Sequence, residues 1–162
     1  MPHADDFRTL AEIAIALAGF TGIVVALNGR SPDGRSPIGS ARLRALLLES
    51  LGVVFFAFMP SLVDSALQNA ALTWRISQLG FALYHLLVLV IFFRSTGLAH
   101  VSVHPDWLVA PFGVAILIAQ FTTAAGFFSE HTHFVYFLAL MFLLFAAAFD
   151  FALLLLARRN AA

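Results

Sequence analysis

Five apolar stretches, each long enough to cross the hydrocarbon core of a bilayer, make up most of this sequence. They cover residues 10–27, 43–67, 72–93, 108–128 and 134–157. An α-helix rises about 1.5 Å per residue, so roughly 20 apolar residues cross a core of about 30 Å. Helices satisfy their own backbone hydrogen bonds, which lipid cannot do, and the stretches lack the two-residue alternation of barrel strands. The sequence predicts an all-α integral membrane protein, built as a five-transmembrane-helix bundle.

The composition agrees with that fold and narrows the chemistry. Of the 162 residues, 61% are hydrophobic and 11% are charged, whereas a soluble domain has about 25% charged residues. The length allows a single transmembrane helical domain over residues 1–162. The chain has no cysteine, and all its basic residues are arginine, which excludes disulfides, thiolate chemistry and lysine Schiff bases. The arginines form no basic stripe, so we expect no nucleic-acid partner.

The arginines predict the orientation of the bundle in the lipid bilayer. Five crossings put the linkers alternately on two sides of the membrane, and most of the arginines then fall on one side. Arg30, Arg35, Arg42, Arg44, Arg94, Arg158 and Arg159 lie on that side, and Arg8 and Arg75 lie on the other. Short cytoplasmic loops carry an excess of arginine. We therefore predict an N-out, C-in, multi-pass protein, and we expect it in the bacterial inner membrane.

The linker over residues 28–41 is the longest predicted cytoplasmic loop, and it is basic. Its proline, glycine and serine residues indicate irregular backbone. One interpretation is a topology determinant that lies close to anionic lipid headgroups. The other interpretation is a docking loop for a soluble partner.

The first apolar stretch has small residues at helical spacing, namely Ala14, Ala18, Gly22 and Ala26. Small residues four positions apart let two helix backbones approach closely in lipid. Glu12 flanks this face, so we expect it at a helix–helix contact rather than in lipid. The contact lies either within the chain or between subunits, and we expect a homo-oligomer or a larger membrane complex.

The second apolar stretch carries a polar face along its length, which is uncommon in a lipid-crossing helix. Glu49 and Asp64 lie on this face. Pro60 lies beside it and leaves the carbonyl of Phe56 without its intrahelical donor. The face indicates either a helix that is buried in the bundle and joined to its neighbours by hydrogen bonds, or a wetted path with a kink.

Three ionisable residues on three different helices are predicted to lie at similar depth. Counted from the nearest cytoplasmic arginine at about 1.5 Å per residue, Glu49, His85 and Asp150 lie about 7 to 13 Å into the membrane. Ionisable groups at such depth usually face the bundle interior and are candidates for function. We assign these three to a candidate ion or proton pathway, with Glu12 and Asp64 in the outer part of the membrane.

The sequence contains no recognisable enzyme signature. It lacks the Gly-x-Ser-x-Gly turn of a serine hydrolase, and His131 and His133 beside Glu130 have the wrong spacing for a metalloprotease. We expect no catalytic activity, no cofactor and no metal site. One remaining function is a small oligomeric channel or transporter for protons or small cations, and another is a non-catalytic accessory or assembly subunit of a larger membrane complex. The absence of a soluble domain counts against a third, a membrane sensor.

Overall fold

The computed structural model describes the backbone of residues 4–28, 37–96 and 106–159, and the side chains of residues 5–23, 42–94 and 109–156. Within those ranges the chain is all-helical and contains no strand. The five helices there are α1 (Ala4–Asn28), α2 (Pro37–Leu67), α3 (Ala70–Thr96), α4 (Asp106–Ala124) and α5 (Thr132–Arg159). The prediction of a helical bundle is confirmed.

Among the described residues, three helices are long and apolar enough to cross a membrane. The segments that qualify are Arg42–Leu67, Ala70–Arg94 and Ser129–Leu156, and Val109–Ala124 is a shorter apolar segment. Large apolar side chains cover the outside of the bundle, among them Phe20, Phe55, Leu87, Phe112 and Phe145. Such an extensive apolar outer surface suits lipid rather than water.

Two helices begin earlier than the apolar stretches suggest. α1 begins at Ala4, ahead of residue 10, and α2 begins at Pro37, inside the linker that is predicted to be irregular. Proline suits the first turn of a helix because its fixed φ is helical and its missing N–H would be unpaired there anyway. Residues 29–36 of that linker lie outside the described residues.

α4 is shorter than predicted, since it ends at Ala124 rather than near residue 128. Gly126 has a φ of 97° and Phe128 has a φ of 56°, so the chain leaves the helix through two left-handed positions. The 3-10 turn Ser129–His131 then leads into α5. A Cβ at residue 126 would lie 2.8 Å from Nη2 of Arg75 on α3. The left-handed backbone at residue 126 therefore favours glycine, and with a larger residue the exposed end of Arg75 would have to shift.

The helices pack around α2 and α5, and neighbouring helices along the chain run in opposite directions. α2 contacts α1, α3 and α5, and α5 also contacts α1, α3 and α4. At one end, where α1, α3 and α5 begin, the aromatic rings of Phe7, Trp74 and His133 pack together. We call this the Trp74 end. The opposite end, where α2 begins and α5 finishes, contains Arg42, and we call it the Arg42 end.

A buried aromatic core fills the bundle between α2, α3 and α5. The rings of Phe56 and Phe81 stack with their centroids 4.8 Å apart, and Tyr136 is fully buried beside them. Tyr136 donates its hydroxyl to the carbonyl of Phe56 over 2.6 Å. That carbonyl is the one for which Pro60 provides no helical donor. A side chain of α5 therefore provides the hydrogen bond that this carbonyl of α2 lacks within its own helix.

A second tyrosine joins α3 to α2 closer to the Arg42 end. Tyr84 donates its hydroxyl to the carbonyl of Leu48. Its ring lies against Gly52, where an added Cβ would overlap the ring. The missing side chain at Gly52 thus lets α3 approach α2 at this point.

Candidate functional site

A cavity lies between α2, α3, α4 and α5 on the Arg42 side of the aromatic core. The space open to the centres of water molecules is ≈ 50 Å³, and one water needs roughly 10–15 Å³. The lining consists of Glu49, His85, Val88, Leu89, Phe92, Val109, Ala110, Phe142, Leu143, Ala146, Phe149 and Asp150. The polar side chains among them are Glu49, His85 and Asp150, the three residues that the sequence places at similar depth. The structure brings these three together.

Glu49 reaches the cavity from α2 and provides it with an unused acceptor. The residue is 8% exposed, and its Oε2 is buried without a hydrogen-bond partner. The carboxyl group also interacts electrostatically with Asp150. A buried carboxylate oxygen with no partner is unfavourable in apolar surroundings unless it binds a proton, a water or a cation. Glu49 is therefore the group from which a binding function can be argued.

Asp150 forms a largely buried ion pair with Arg42, which sequence reasoning misses. Nη1 of Arg42 lies 3.4 Å from Oδ1 of Asp150, and the two side chains are 13% and 9% exposed. From the sequence alone, Arg42 is used only to predict which side of the membrane each linker faces. One sequence signal could have indicated the pair, because a buried carboxylate needs a partner. Arg42 is near the beginning of α2, and Asp150 is in the second half of α5, so both lie toward the same end of the bundle. The pair crosses between the two central helices.

His85 is held in the cavity wall by α4 and α5. The residue is 1% exposed, and its Nδ1 donates to Oε1 of Gln120 over 2.8 Å. Phe142 packs near the imidazole with ring centroids 5.8 Å apart. The hydrogen bond fixes the ring and, in neutral histidine, leaves Nε2 as the acceptor nitrogen. Gln120, which sequence reasoning leaves outside the pathway, is thus the positioning partner of His85.

The other two residues of the predicted pathway lie outside the cavity. Glu12 is on the outside of the bundle and pairs with Arg8 on the preceding turn, where Nε and Oε1 are 3.0 Å apart. Within the bundle, the contact of α1 is made by its neighbours Ala11 and Ala14 rather than by Glu12. A contact of Glu12 between subunits stays a prediction. Asp64 lies at the Trp74 end, where its Oδ1 accepts a hydrogen bond of 3.4 Å from Thr73.

The small-residue face of α1 turns from the inside of the bundle to the outside. Ala14 is completely buried, and Ala18 is partly buried. Gly22 is exposed, and no atom of the described residues lies within 4 Å of the position that its Cβ would occupy. The side chain of Ala26 lies outside the described residues. Of the described residues of this face, Ala14 and Ala18 pack within the bundle and Gly22 does not.

The cavity combines three kinds of charge-bearing group in apolar surroundings. Glu49 has a free oxygen, His85 has a fixed imidazole, and Asp150 is already neutralised by a guanidinium group. Carboxyl and imidazole groups exchange protons readily with water. Among the residues that the structure describes, no cluster of three or more histidine, aspartate or glutamate side chains has the arrangement to hold a metal ion.

Comparison with known proteins adds no assignment to this geometry. No protein-family model, no curated protein and no solved structure matches the chain.

Proposed function

We propose that this chain is a small membrane protein that binds and transfers protons, with the cavity of Glu49, His85 and Asp150 as its proton-binding site. The observation that carries the proposal is the unpartnered Oε2 of Glu49 in a cavity that has room for water. A small metal cation needs several oxygen ligands. A proton needs only one oxygen. This suits a site in which the carboxylate of Asp150 is already paired with Arg42.

We propose further that all five helices cross the bacterial inner membrane, N-out and C-in. Three helices with the required length and apolar character support this arrangement, and α4 provides a shorter apolar segment. The Arg42 end contains Arg42, Arg44 and Arg94, whereas Arg8 and Arg75 belong to the Trp74 end. By the positive-inside rule, the Arg42 end faces the cytoplasm. The cavity is then supplied with protons from the cytoplasmic side.

The charged and titratable side chains of the cavity have different roles in the proposed function. Arg42 neutralises Asp150 and keeps that carboxylate beside Glu49. A proton from cavity water adds to Oε2 of Glu49 and converts the carboxylate into a neutral acid, and release returns the proton to water. Nε2 of His85, fixed by Gln120, accepts and returns protons at the wall of the same cavity.

The aromatic core limits direct access through the centre of the bundle. Phe81 lies one helical turn from His85 toward the Trp74 end, and it packs with Phe56 and Tyr136. All three are buried, and close-packed apolar side chains leave no room for water. The protein is therefore better described as a proton carrier or transporter than as an open pore.

Proton flux into liposomes tests this function. The purified protein is reconstituted with an internal pH indicator, and flux is started by a potassium diffusion potential. We expect Glu49→Gln to lower the flux by about a hundredfold. This is the lower end of the range of about 10²- to 10⁴-fold that a positioned acid–base group contributes. Glu12→Gln is the matched control, because Glu12 is an exposed acid outside the cavity, and its flux should equal that of the wild type. Undiminished flux in Glu49→Gln would show that the assigned site is wrong.

A second candidate function is a non-catalytic subunit that packs against another protein in the membrane. The observation that favours it is the outward face of α1, where Gly19 and Gly22 have no described atom within 4 Å of their Cβ positions. Such a face suits close packing with another helix, either of a second copy or of a larger complex. Wild-type protein that moves neither protons nor cations in liposomes would favour this function.

Cysteine cross-linking identifies that packing, because the chain contains no cysteine of its own. We expect Gly22→Cys to form a disulfide-linked dimer in membranes if α1 meets a second copy. Phe145→Cys on the exposed face of α5 is the control and should remain monomeric. Absence of the dimer from Gly22→Cys would contradict a homo-oligomer assembled through α1.

A further inference from the structure

Buried polar side chains follow one another along α3 and the neighbouring part of α4, from the cavity toward the Trp74 end. They are His85, Gln78, Ser77 and Thr73 on α3, with Gln120 and Thr123 on α4, and all six are buried. We call this set the polar strip. From His85 to Thr73 it follows about 18 Å of helix at about 1.5 Å per residue.

Direct hydrogen bonds join the strip at three levels. His85 donates to Gln120 at the cavity. Nearer the Trp74 end, Nε2 of Gln78 donates to Oγ1 of Thr123 over 3.1 Å. At the far end, Thr73 donates to Asp64 on α2, which is partly exposed. The strip therefore extends from the cavity to a carboxylate near the opposite end of the bundle.

Three atoms within the strip are buried and have no hydrogen-bond partner. They are Nε2 of Gln120, Oε1 of Gln78 and Oγ of Ser77. The first is a donor, the second is an acceptor, and the hydroxyl of Ser77 is both. Each glutamine thus uses one atom of its amide in a direct bond and leaves the other unused. A buried water typically binds to two to four groups of this kind.

Two other polar side chains of the bundle interior have direct partners. Tyr136 bonds directly to the carbonyl of Phe56 over 2.6 Å, and Thr21 bonds directly to the carbonyl of Leu17 within its own helix, α1, over 2.8 Å. Neither hydroxyl group needs a water molecule as its partner. The unused donor and acceptor in the strip instead match the requirements of water.

We propose that the polar strip binds a row of water molecules and conducts protons between the cavity and Asp64. This proposal rests on the proton-binding function of the cavity and adds its route across the bundle. Water accepts a hydrogen bond from Gln120 and donates one to Gln78, while the hydroxyls of Ser77, Thr123 and Thr73 both donate and accept. A proton that enters the row at His85 displaces another at Asp64, so no net charge is left in the strip.

Two measurements test the strip, and the first does not depend on transport. In solid-state NMR of the protein in lipid, magnetisation should pass from water to the side-chain amide of Gln120. Gln78→Met, a near-isosteric change that removes the acceptor, should reduce this transfer severalfold. A wild-type Gln120 amide without contact to water would overturn the proposal, because the strip would then be dry.

The second measurement is proton flux in liposomes. Gln78→Met and Gln120→Met should each lower the flux by about tenfold, the factor expected when one bridging hydrogen bond is lost. Thr21→Val is the control, because Thr21 is equally buried but lies outside the strip, and its flux should be unchanged. Flux that is insensitive to both methionine variants but abolished by Glu49→Gln would overturn the strip alone. Wild-type protein without any flux would overturn the proton function and the strip's role as a route together.

Discussion

Two regions of the bundle interior differ in how their polar groups are satisfied. In the aromatic core, the carbonyl of Phe56 loses its helical donor to Pro60 and receives the hydroxyl of Tyr136 instead. In the cavity at the Arg42 end, Glu49 keeps a buried oxygen without a partner. Both regions lie within the same apolar helix, α2.

The difference separates polar groups that support the fold from those that are available for function. A polar group that serves stability is expected to have its partner within the protein, because an unsatisfied buried group lowers stability. Tyr136 and the pair of Arg42 with Asp150 belong to this kind. Glu49 does not, and we infer that its partner is transient. Stability and proton flux should therefore respond to different substitutions.

The largest loss of stability is expected at Arg42. Arg42→Met removes the guanidinium group that lies against the buried carboxylate of Asp150, and breaking such a pair lowers the free energy of unfolding by about 3–5 kcal/mol. The double variant Arg42→Met with Asp150→Asn should recover most of this loss, since it removes the charges of both partners of the pair. Denaturation in detergent micelles measures both. Arg44→Met is the control, because Arg44 is exposed on the same helix. Equal losses for Arg42→Met and Arg44→Met would contradict a structural ion pair.

A smaller loss is expected in the aromatic core. Tyr136→Phe leaves the carbonyl of Phe56 without a donor, which lowers the free energy of unfolding by about 1–3 kcal/mol. Pro60→Ala restores an N–H that the same carbonyl can accept within α2. The effect of Tyr136→Phe should therefore shrink in the Pro60→Ala background, as measured by a double-mutant cycle. If the loss is the same in both backgrounds, Tyr136 does not compensate for Pro60.

The close contact between α2 and α3 at Gly52 should be sensitive to a single methyl group. Gly52→Ala places a Cβ where the ring of Tyr84 lies. Overpacking of this kind lowers stability by about 1–3 kcal/mol, and we expect the lower part of that range because Tyr84 is only partly buried and its ring can shift. Gly22→Ala, with open space around its Cβ position, should change stability by no more than about 0.5 kcal/mol. The thermal midpoints of the two variants give the comparison, and equal midpoints would contradict the close approach of α3 to Gly52.

The smallest effect on stability is expected at the residue that matters most for function. Glu49→Gln keeps the shape of the side chain and removes an acid that has an oxygen without a protein partner. We expect the free energy of unfolding to change much less than in Arg42→Met, because no protein partner of Oε2 is removed, although proton flux falls by about a hundredfold. A loss comparable to that of Arg42→Met would show that Glu49 supports the fold instead.

The helical architecture could be predicted because apolar length alone determines it. Five apolar stretches correspond to five helices among the described residues, and the similar depth of Glu49, His85 and Asp150 agrees with their position around one cavity. Helix ends were less predictable, since local backbone conformation decides them. α2 begins at Pro37, ahead of its apolar stretch. The left-handed backbone of Gly126 follows the end of α4, which comes before the end of its apolar stretch.

The partners of the polar groups could not be predicted, because they depend on which helices are neighbours. Arg42 reaches Asp150, and Gln120 reaches His85, only after α2 packs against α5 and α3 packs against α4. The position of Glu12 depends on a helical rotation that its neighbours Ala11 and Ala14 determine. Composition and spacing contain no information about such pairings beyond the general need of buried charges for partners.

The central claim is that Glu49 gains and loses a proton inside the bundle, and carboxyl carbon NMR tests it most directly. The chain contains three glutamates, Glu12, Glu49 and Glu130, so labelling Cδ of glutamate gives three resonances that glutamine variants assign. Glu12 and Glu130 are exposed, and their resonances serve as the two internal references. We predict that the Glu49 resonance changes reversibly with pH while the protein stays folded, and that Arg42→Met or removal of His85 alters this titration without affecting the two references. A Glu49 resonance that stays constant over the whole range in which the protein is folded would contradict the account.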